Sequence, residues 1–315
     1  MHTGLDDGGG GRMSAGQLRL TKHHGAGNDF LVMLDSDDLR PLSSAEVRVL
    51  CDRRRGVGAD GLLRVMRGGH GSELTMDLHN ADGSPAEMSG NGIRCLVQAA
   101  VDAGWVAPGP VSVATAGGLR TVAYRSGDHT GLGFASVAMG RATLGPDLDA
   151  GDLPADIASS VRFARTVDMG NPHVVLFGSP VDTAVVSTVG APLEHAFRGG
   201  ANVEFVWPGT EFDTLTMRVW ERGVGETLAC GTGACAVAAA VNSWGLVGSV
   251  VLVRSPGGTL QVELRSDGIS LSGPTQKVAD VLVDAGVLAE LALTYDDDVA
   301  SACDTLAENS AVRDP

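Results

Sequence analysis

Two stretches of this chain, one opening at Ser89 and the other at Cys230, begin in the same way. Ser89-Gly90-Asn91-Gly92 opens the run Ile-Arg-Cys-Leu-Val-Gln-Ala-Ala, and Cys230-Gly231-Thr232-Gly233 opens Ala-Cys-Ala-Val-Ala-Ala-Ala. Each is a hydroxyl or thiol residue, a Gly-x-Gly turn and a run of small and apolar residues that stops at a glycine, Gly104 or Gly245. The pattern predicts helices over 91–103 and 231–244. Repetition at a fixed offset predicts two similar domains, each giving one helix N-terminus to a shared cleft.

Between these helices, short apolar runs alternate with Gly, Asp and Asn turns. They predict strands over 18–22, 30–35, 62–66, 74–79, 111–114, 119–124, 133–139, 162–168, 173–177, 202–207, 213–221, 249–253, 260–264, 269–273 and 278–283. A further helix is predicted from the Ser43-x-x-Glu46 capping box to about Arg54. Many short strands with few helices indicate an α+β fold rather than a doubly wound sheet.

With 315 residues, 43% of them hydrophobic, the chain can bury a real core. Its net charge is −15, without a basic stripe, which argues against nucleic acid as a partner. No run of 18 apolar residues occurs, so no membrane span is expected. Five cysteines, at 51, 95, 230, 235 and 303, form no CxxC pair and are odd in number, which predicts reduced thiols in a cytoplasm. The eight histidines form no metal-ligand set. Gly56-Val57-Gly58-Ala59-Asp60-Gly61 lacks the third glycine of a dinucleotide fingerprint and follows a predicted helix, so no nucleotide cofactor is expected. Residues 1–17 read as a flexible Gly-rich tail, with Met13 as an alternative start, and 291–315 as an acidic extension.

A helix N-terminus presents unpaired N–H groups and the positive end of a dipole. Two of them facing each other clamp one carboxylate. The same field is expected to lower the pKa of Cys230 toward a thiolate. Proton-transfer groups on opposite faces of one carbon permit stereoinversion: one removes the α-proton and the other returns one from the far side.

Six strings, KHHGAGNDF, RRRGVGADGLL, NADGSPAEMSGNGIRC, MGNPHVV, ANVEF and ERGVGETLACGTGACA, occur in one order from about residue 18 to 283. Together they resemble the diaminopimelate epimerases of lysine and peptidoglycan precursor synthesis. The resemblance implies two similar domains, each a mostly antiparallel sheet or barrel wrapped around a central helix, with the site between them. It implies a first domain of 18–132 plus 275–290, the C-terminal strand returning to complete it, and a second of 133–274. It implies epimerisation of LL- to meso-diaminopimelate without pyridoxal or any other cofactor, and leaves a homodimer open. By the same resemblance Cys230 is one acid/base residue, and His173 and Glu221 assist. Asn28, Asn80, Asn171, Asn202, Glu221 and Arg222 contact substrate, as do Gly231 and Thr232 facing Gly90 and Asn91.

The departure lies at the centre. The family has cysteine where this chain has Ser89, and a hydroxyl is a far weaker acid than a thiol. Slow epimerisation through a Ser89 relay is one reading. A related isomerase or dehydratase acting on another amino acid, a binding paralogue without turnover and an engineered trap are the others. Phenazine-biosynthesis isomerases are disfavoured, because they lack the Cys-Gly-Thr-Gly arrangement. One outcome is independent of these readings. Ser89 and Cys230 cannot close a disulfide, so peroxide should leave no 89–230 crosslink, while iodoacetamide should still modify Cys230. Peptide mass spectrometry of the folded protein checks both.

Overall fold

The computed structural model describes residues 16–69 and 71–295. The first half contains β1 (Gln17–Gly25), β2 (Asn28–Leu34), α1 (Ser44–Cys51), β3 (Gly61–Arg67), β4 (Leu74–Asn80), β5 (Pro85–Ala86), α2 (Gly90–Asp102), β6 (Gly109–Thr115), β7 (Gly118–Ser126), β8 (Leu132–Gly140) and β9 (Thr143–Asp147). The second contains α3 (Ala155–Ala158), β10 (Val161–Asp168), β11 (Pro172–Gly178), α4 (Thr183–Ala196), β12 (Asn202–Pro208), β13 (Thr214–Glu221), β14 (Gly225–Thr227), α5 (Gly231–Ser243), β15 (Val250–Ser255), β16 (Gly258–Leu264) and β17 (Ile269–Asp284).

The two halves repeat one pattern. A hairpin (β1–β2, β10–β11) is followed by a crossover helix (α1, α4) and a strand parallel to the hairpin's second (β3, β12). An antiparallel strand comes next, then the Gly-x-Gly helix and a further parallel strand. The register repeats as well: Leu62 pairs with His79, and at the equivalent positions of the second half Val203 pairs with Trp220.

Each half closes on itself. In the first, the ladder runs β17–β1–β2–β3–β4–β6–β7–β8 and returns to β17. In the second it runs β9–β10–β11–β12–β13–β15–β16–β17, and β17 meets β8, which leads directly into β9. The β8·β17 ladder therefore belongs to both barrels. The expected divisions at 132/133 and 274/275 fall at β8 and inside β17.

One helix fills each barrel. α2 packs against β1, β2, β3, β7, β8 and β17, and α5 against β10, β11, β12, β15, β16 and β17. Neither presents a face to water along most of its length: residues 90–100 of α2 are all buried, and α5 is built mostly of Ala, Val, Gly and Cys. A helix without a solvated face has to be enclosed, and the barrels enclose it. The two barrels share one continuous core that includes both helices.

Several expectations are corrected. α1 stops at Cys51 instead of Arg54, because the Asp52 carboxylate accepts the backbone N–H groups of Arg54 and Arg55 and turns the chain. The helix Thr183–Ala196 was not foreseen. Its Val-Val-Ser-Thr-Val run is rich in β-branched residues, which disfavour a helix, and it carries Gly190 and Pro192. Asp182 caps it, and Gly190 is needed there because a Cβ would lie 2.6 Å from Trp220. The two strands expected at 269–273 and 278–283 are one 16-residue strand through Pro274, and β5, β9 and β14 were also missed. Residues 285–295 are helical, so the boundary expected at 291 falls within a helix. Leu288 is buried there, and Tyr295 lies under the Arg55 guanidinium. The tail expected at 1–17 lies outside the described residues except for its last two positions, and so does the extension beyond 295.

His23 on β1 is fully buried between Gln98 and Thr21. Burial lowers its pKa to about 4 from an ordinary 6.5. The unfolded chain therefore takes up a proton below pH 6.5 that the native state refuses. Stability should be complete above pH 6.5 and fall by about 3 kcal/mol toward pH 4 from this group. Urea unfolding of wild type and His23→Gln between pH 4 and 7.5 checks it. The variant's profile should be flatter across that window, and equal slopes would contradict the assignment.

Candidate active site

The two Gly-x-Gly turns form the same N-cap. Ser89 (φ −137°, ψ 120°) accepts from the Gly92 N–H at 3.0 Å, and Cys230 (φ −122°, ψ 120°) accepts from the Gly233 N–H at 3.4 Å. The helix starts meet. A Cβ on Gly231 would lie 3.4 Å from the Gly90 Cα and 3.7 Å from the Asn91 nitrogen. Leu271, on the shared strand, wedges against both glycines. Larger residues at 90 or 231 would drive the helices apart, so glycine here is a packing requirement.

The asparagines lie at different depths and hold different partners. Asn91 Nδ2 donates to Asn28 Oδ1 at 3.2 Å and to the Ala229 carbonyl, just before Cys230, at 3.3 Å. Asn28 donates in turn to Asp60. Asn171 reaches Thr232 Oγ1 at 3.5 Å, and its Oδ1 faces His173 Nε2 at 3.0 Å. Asn202 is buried, and its Oδ1 accepts the Arg222 backbone N–H at 2.9 Å. Asn80 is exposed and donates to Ser84. Arg222 is exposed, lies along the Gly199–Gly200 turn and donates to the Gly199 carbonyl. No carboxylate pairs with it among the described residues, so its remaining N–H groups are open to a carboxylate ligand.

Around Cys230 the charges are negative. Thr227 donates to the Glu221 carboxylate, whose charge acts on the Cys230 thiol. Burial raises the Glu221 pKa above the ordinary carboxylate range. His173 Nδ1 lies 2.6 Å from Glu204 Oε1, and both side chains are fully buried. Among the described residues the other Glu204 oxygen has no hydrogen-bond partner, and Gly233 leaves room for this carboxyl, since a Cβ there would lie 2.7 Å from Oε1.

This corrects one expectation. Burial, reinforced by Glu221 and Glu204, pushes the Cys230 thiol well above its ordinary 9.0, and the Thr232 hydroxyl and Gly233 N–H do not offset it. The helix dipole acts over one turn and does not outweigh the loss of solvent and two nearby carboxylates. In this state Cys230 carries its proton and is a proton donor. Sequence reasoning also missed Glu204, Asp60, Thr227 and Arg94. For Glu204 the signal was present: an acid between apolar neighbours in Asn-Val-Glu-Phe-Val.

The diaminopimelate epimerase family profile matches residues 20–145 and 165–278. The chain belongs to the diaminopimelate epimerase family. It is 41% identical over 299 residues to the diaminopimelate epimerase of Streptomyces coelicolor, covering 87% of this chain and 99% of that one. It is 38% identical over 282 residues to that of Synechococcus elongatus, covering 83% and 96%. Its fold is similar to that of a hydroxyproline epimerase from Agrobacterium vitis, with a TM-score of 0.64 at 15% identity, covering 85% and 92%. The epimerase-like double barrel expected from the sequence is thus the observed fold.

A thiol held this high in pKa has a measurable signature. Iodoacetamide modification of Cys230 should keep accelerating up to pH 9 and beyond, with no plateau near neutrality. Glu221→Gln removes a neighbouring negative charge and should raise the rate at pH 8. A plateau below pH 8, or slower modification in the variant, would contradict the charge arrangement.

Proposed function

We propose that this protein epimerises LL-2,6-diaminopimelate to meso-diaminopimelate at one α-carbon. The observation that carries this reading is the meeting of two helix N-termini, one capped by a thiol and the other by a hydroxyl. The α-carboxylate lies across the N–H groups of Gly90, Asn91, Gly231 and Thr232. As the α-proton leaves, charge spreads onto that carboxylate, where fixed N–H donors stabilise it without reorganisation. The proton leaves from the Ser89 face and is relayed to water, and the Cys230 thiol returns a proton from the opposite face. A proton taken up from water, passed through the Glu221 carboxylate, then restores the Cys230 thiol. The His173–Glu204 pair, locked at 2.6 Å in the core, keeps Asn171 aimed at Thr232. Arg222 pairs with a carboxylate of the substrate, and Asn28, Asn80 and Asn202 complete its contacts.

The two lobes, 18–132 with 275–290 and 133–274, are the units that close on substrate. The family membership and the full set of substrate-contact positions support diaminopimelate over another amino acid. A cytoplasmic setting is supported by Cys51, Cys95, Cys230 and Cys235, all free thiols. Among the described residues no helix is long and apolar enough to cross a membrane.

Ser89 sets the rate. A serine at the proton-abstracting face is the weaker base, so Ser89→Cys should raise inversion about 100-fold or more. Proton NMR in D₂O with LL- and meso-diaminopimelate reads α-proton exchange and stereoisomer ratio separately. Inversion by wild type, faster in Ser89→Cys and absent in Cys230→Ala, is the expected result. Exchange and inversion absent from both wild type and Ser89→Cys would overturn diaminopimelate as the substrate.

A further inference from the structure

Arg94, one turn into α2, is fully buried, yet none of its partners is an acid. Nη1 donates to the Gly90 carbonyl at 2.8 Å, Nη2 to Asn91 Oδ1 at 2.8 Å and Nε to the Pro274 carbonyl at 3.4 Å. Among the described residues no carboxylate forms an ion pair with it. A buried cation is ordinarily paired, because burial strongly disfavours an uncompensated charge. Here burial lowers the guanidinium pKa to about 10, which still leaves it charged at neutral pH.

The fold makes a slot for this side chain. A Cβ on Gly25 would lie 2.9 Å from Nη2, and one on Gly273 would lie 3.4 Å from it. The repeat makes Cys235 on α5 the equivalent position in the second half, and Cys235 is small and fully buried. The two equivalent positions are near enough to interact electrostatically, so two arginines would compete for one space and add a second buried cation. The asymmetry places one fixed positive charge beneath two helix N-termini that are themselves positive. It also anchors Asn91, whose amide ties Asn28 to the backbone carbonyl before Cys230.

We infer that Arg94 is the buried counter-charge for the reacting substrate carboxylate, a positioning residue that acts through Gly90 and Asn91 without touching the ligand. The inference rests on the proposed binding of an amino-acid carboxylate at the paired helix starts. No carboxylate of the described residues pairs with Arg94, and an anion bound over the Gly90–Asn91 N–H groups compensates both the α2 dipole and the guanidinium. Binding energy for the carboxylate is therefore stored in the protein before the ligand arrives.

The test uses the full chain as wild type, Arg94→Gln and Arg94→Lys, with LL-diaminopimelate and, separately, inorganic sulfate as probes. Calorimetric affinity and anion-induced rise in melting temperature are the readouts. Arg94→Gln should bind diaminopimelate about tenfold or more weakly and lose most of the sulfate-induced rise, while Arg94→Lys, which keeps the charge, should retain both. A purely structural role would not be rescued by a lysine of different shape. Wild-type affinity in Arg94→Gln would overturn the inference, as would equal losses in Arg94→Gln and Arg94→Lys. Absence of any effect of either anion on wild type would also overturn it. If wild type responds to sulfate but not to diaminopimelate, the substrate reading fails, and the comparison of variants on sulfate still decides the role of Arg94. If Arg94→Gln does not fold, Arg94→Met carries the same comparison. If neither folds while Arg94→Lys does, Arg94 belongs to the fold and the inference is overturned.

Discussion

The convergence of two helix N-termini is the constraint on which the rest of this structure depends. Like ends of two dipoles do not approach so closely that a single Cβ would fill the gap without a reason, because each repels the other. Packing brings them together through Gly90, Gly231 and Leu271. The barrels hold them by enclosing α2 and α5 on every side. Backbone amides fixed in this way are worth more to a developing negative charge than mobile donors, because nothing needs to reorient as the charge appears.

The electrostatics of the site divide by face. The amides and Arg94 present positive charge to a carboxylate. Behind Cys230, Glu221 and Glu204 present negative charge to the thiol. A thiol in that setting holds its proton, which suits delivery of a proton to a carbanion better than removal of one. The hydroxyl at Ser89 is at once a good N-cap, with its 3.0 Å bond to Gly92, and a poor base. Thiol and hydroxyl are exchangeable as caps and unequal as acids, so the fold tolerates the replacement where the chemistry feels it.

Much of this was legible in the residues. The repeated Gly-x-Gly turns gave both central helices nearly to the residue, because a cap residue followed by glycines has one structural use here. The Asn, His, Glu and Arg strings could be singled out as polar residues expected at strand ends, and the structure shows them at different depths, from the exposed Asn80 and Arg222 to the buried His173 and Asn202. What failed to show has local causes. The helix Thr183–Ala196 is rich in β-branched residues and contains a proline, and only Asp182 and the packing against Trp220 select its conformation. The state of Cys230 depends on burial, on Glu221 and on Glu204, which arrives from β12, with β13 and β14 between it and the thiol's own helix. The role of Arg94 depends on the absence of an acidic partner among the described residues, which no sequence displays.

The β8·β17 ladder also fixes an order of events. β1 is at the beginning of the described chain, and its pairing partner, residues 276–284, is close to the end. The first barrel therefore stays open while the ribosome makes the whole of the second. During that interval the edge of β1 and the apolar flank of α2 are without cover, and an unpaired edge beside exposed apolar surface invites association with other chains. Completion of the C-terminal strand closes both barrels in one step, so the protein gains its two lobes together rather than in turn.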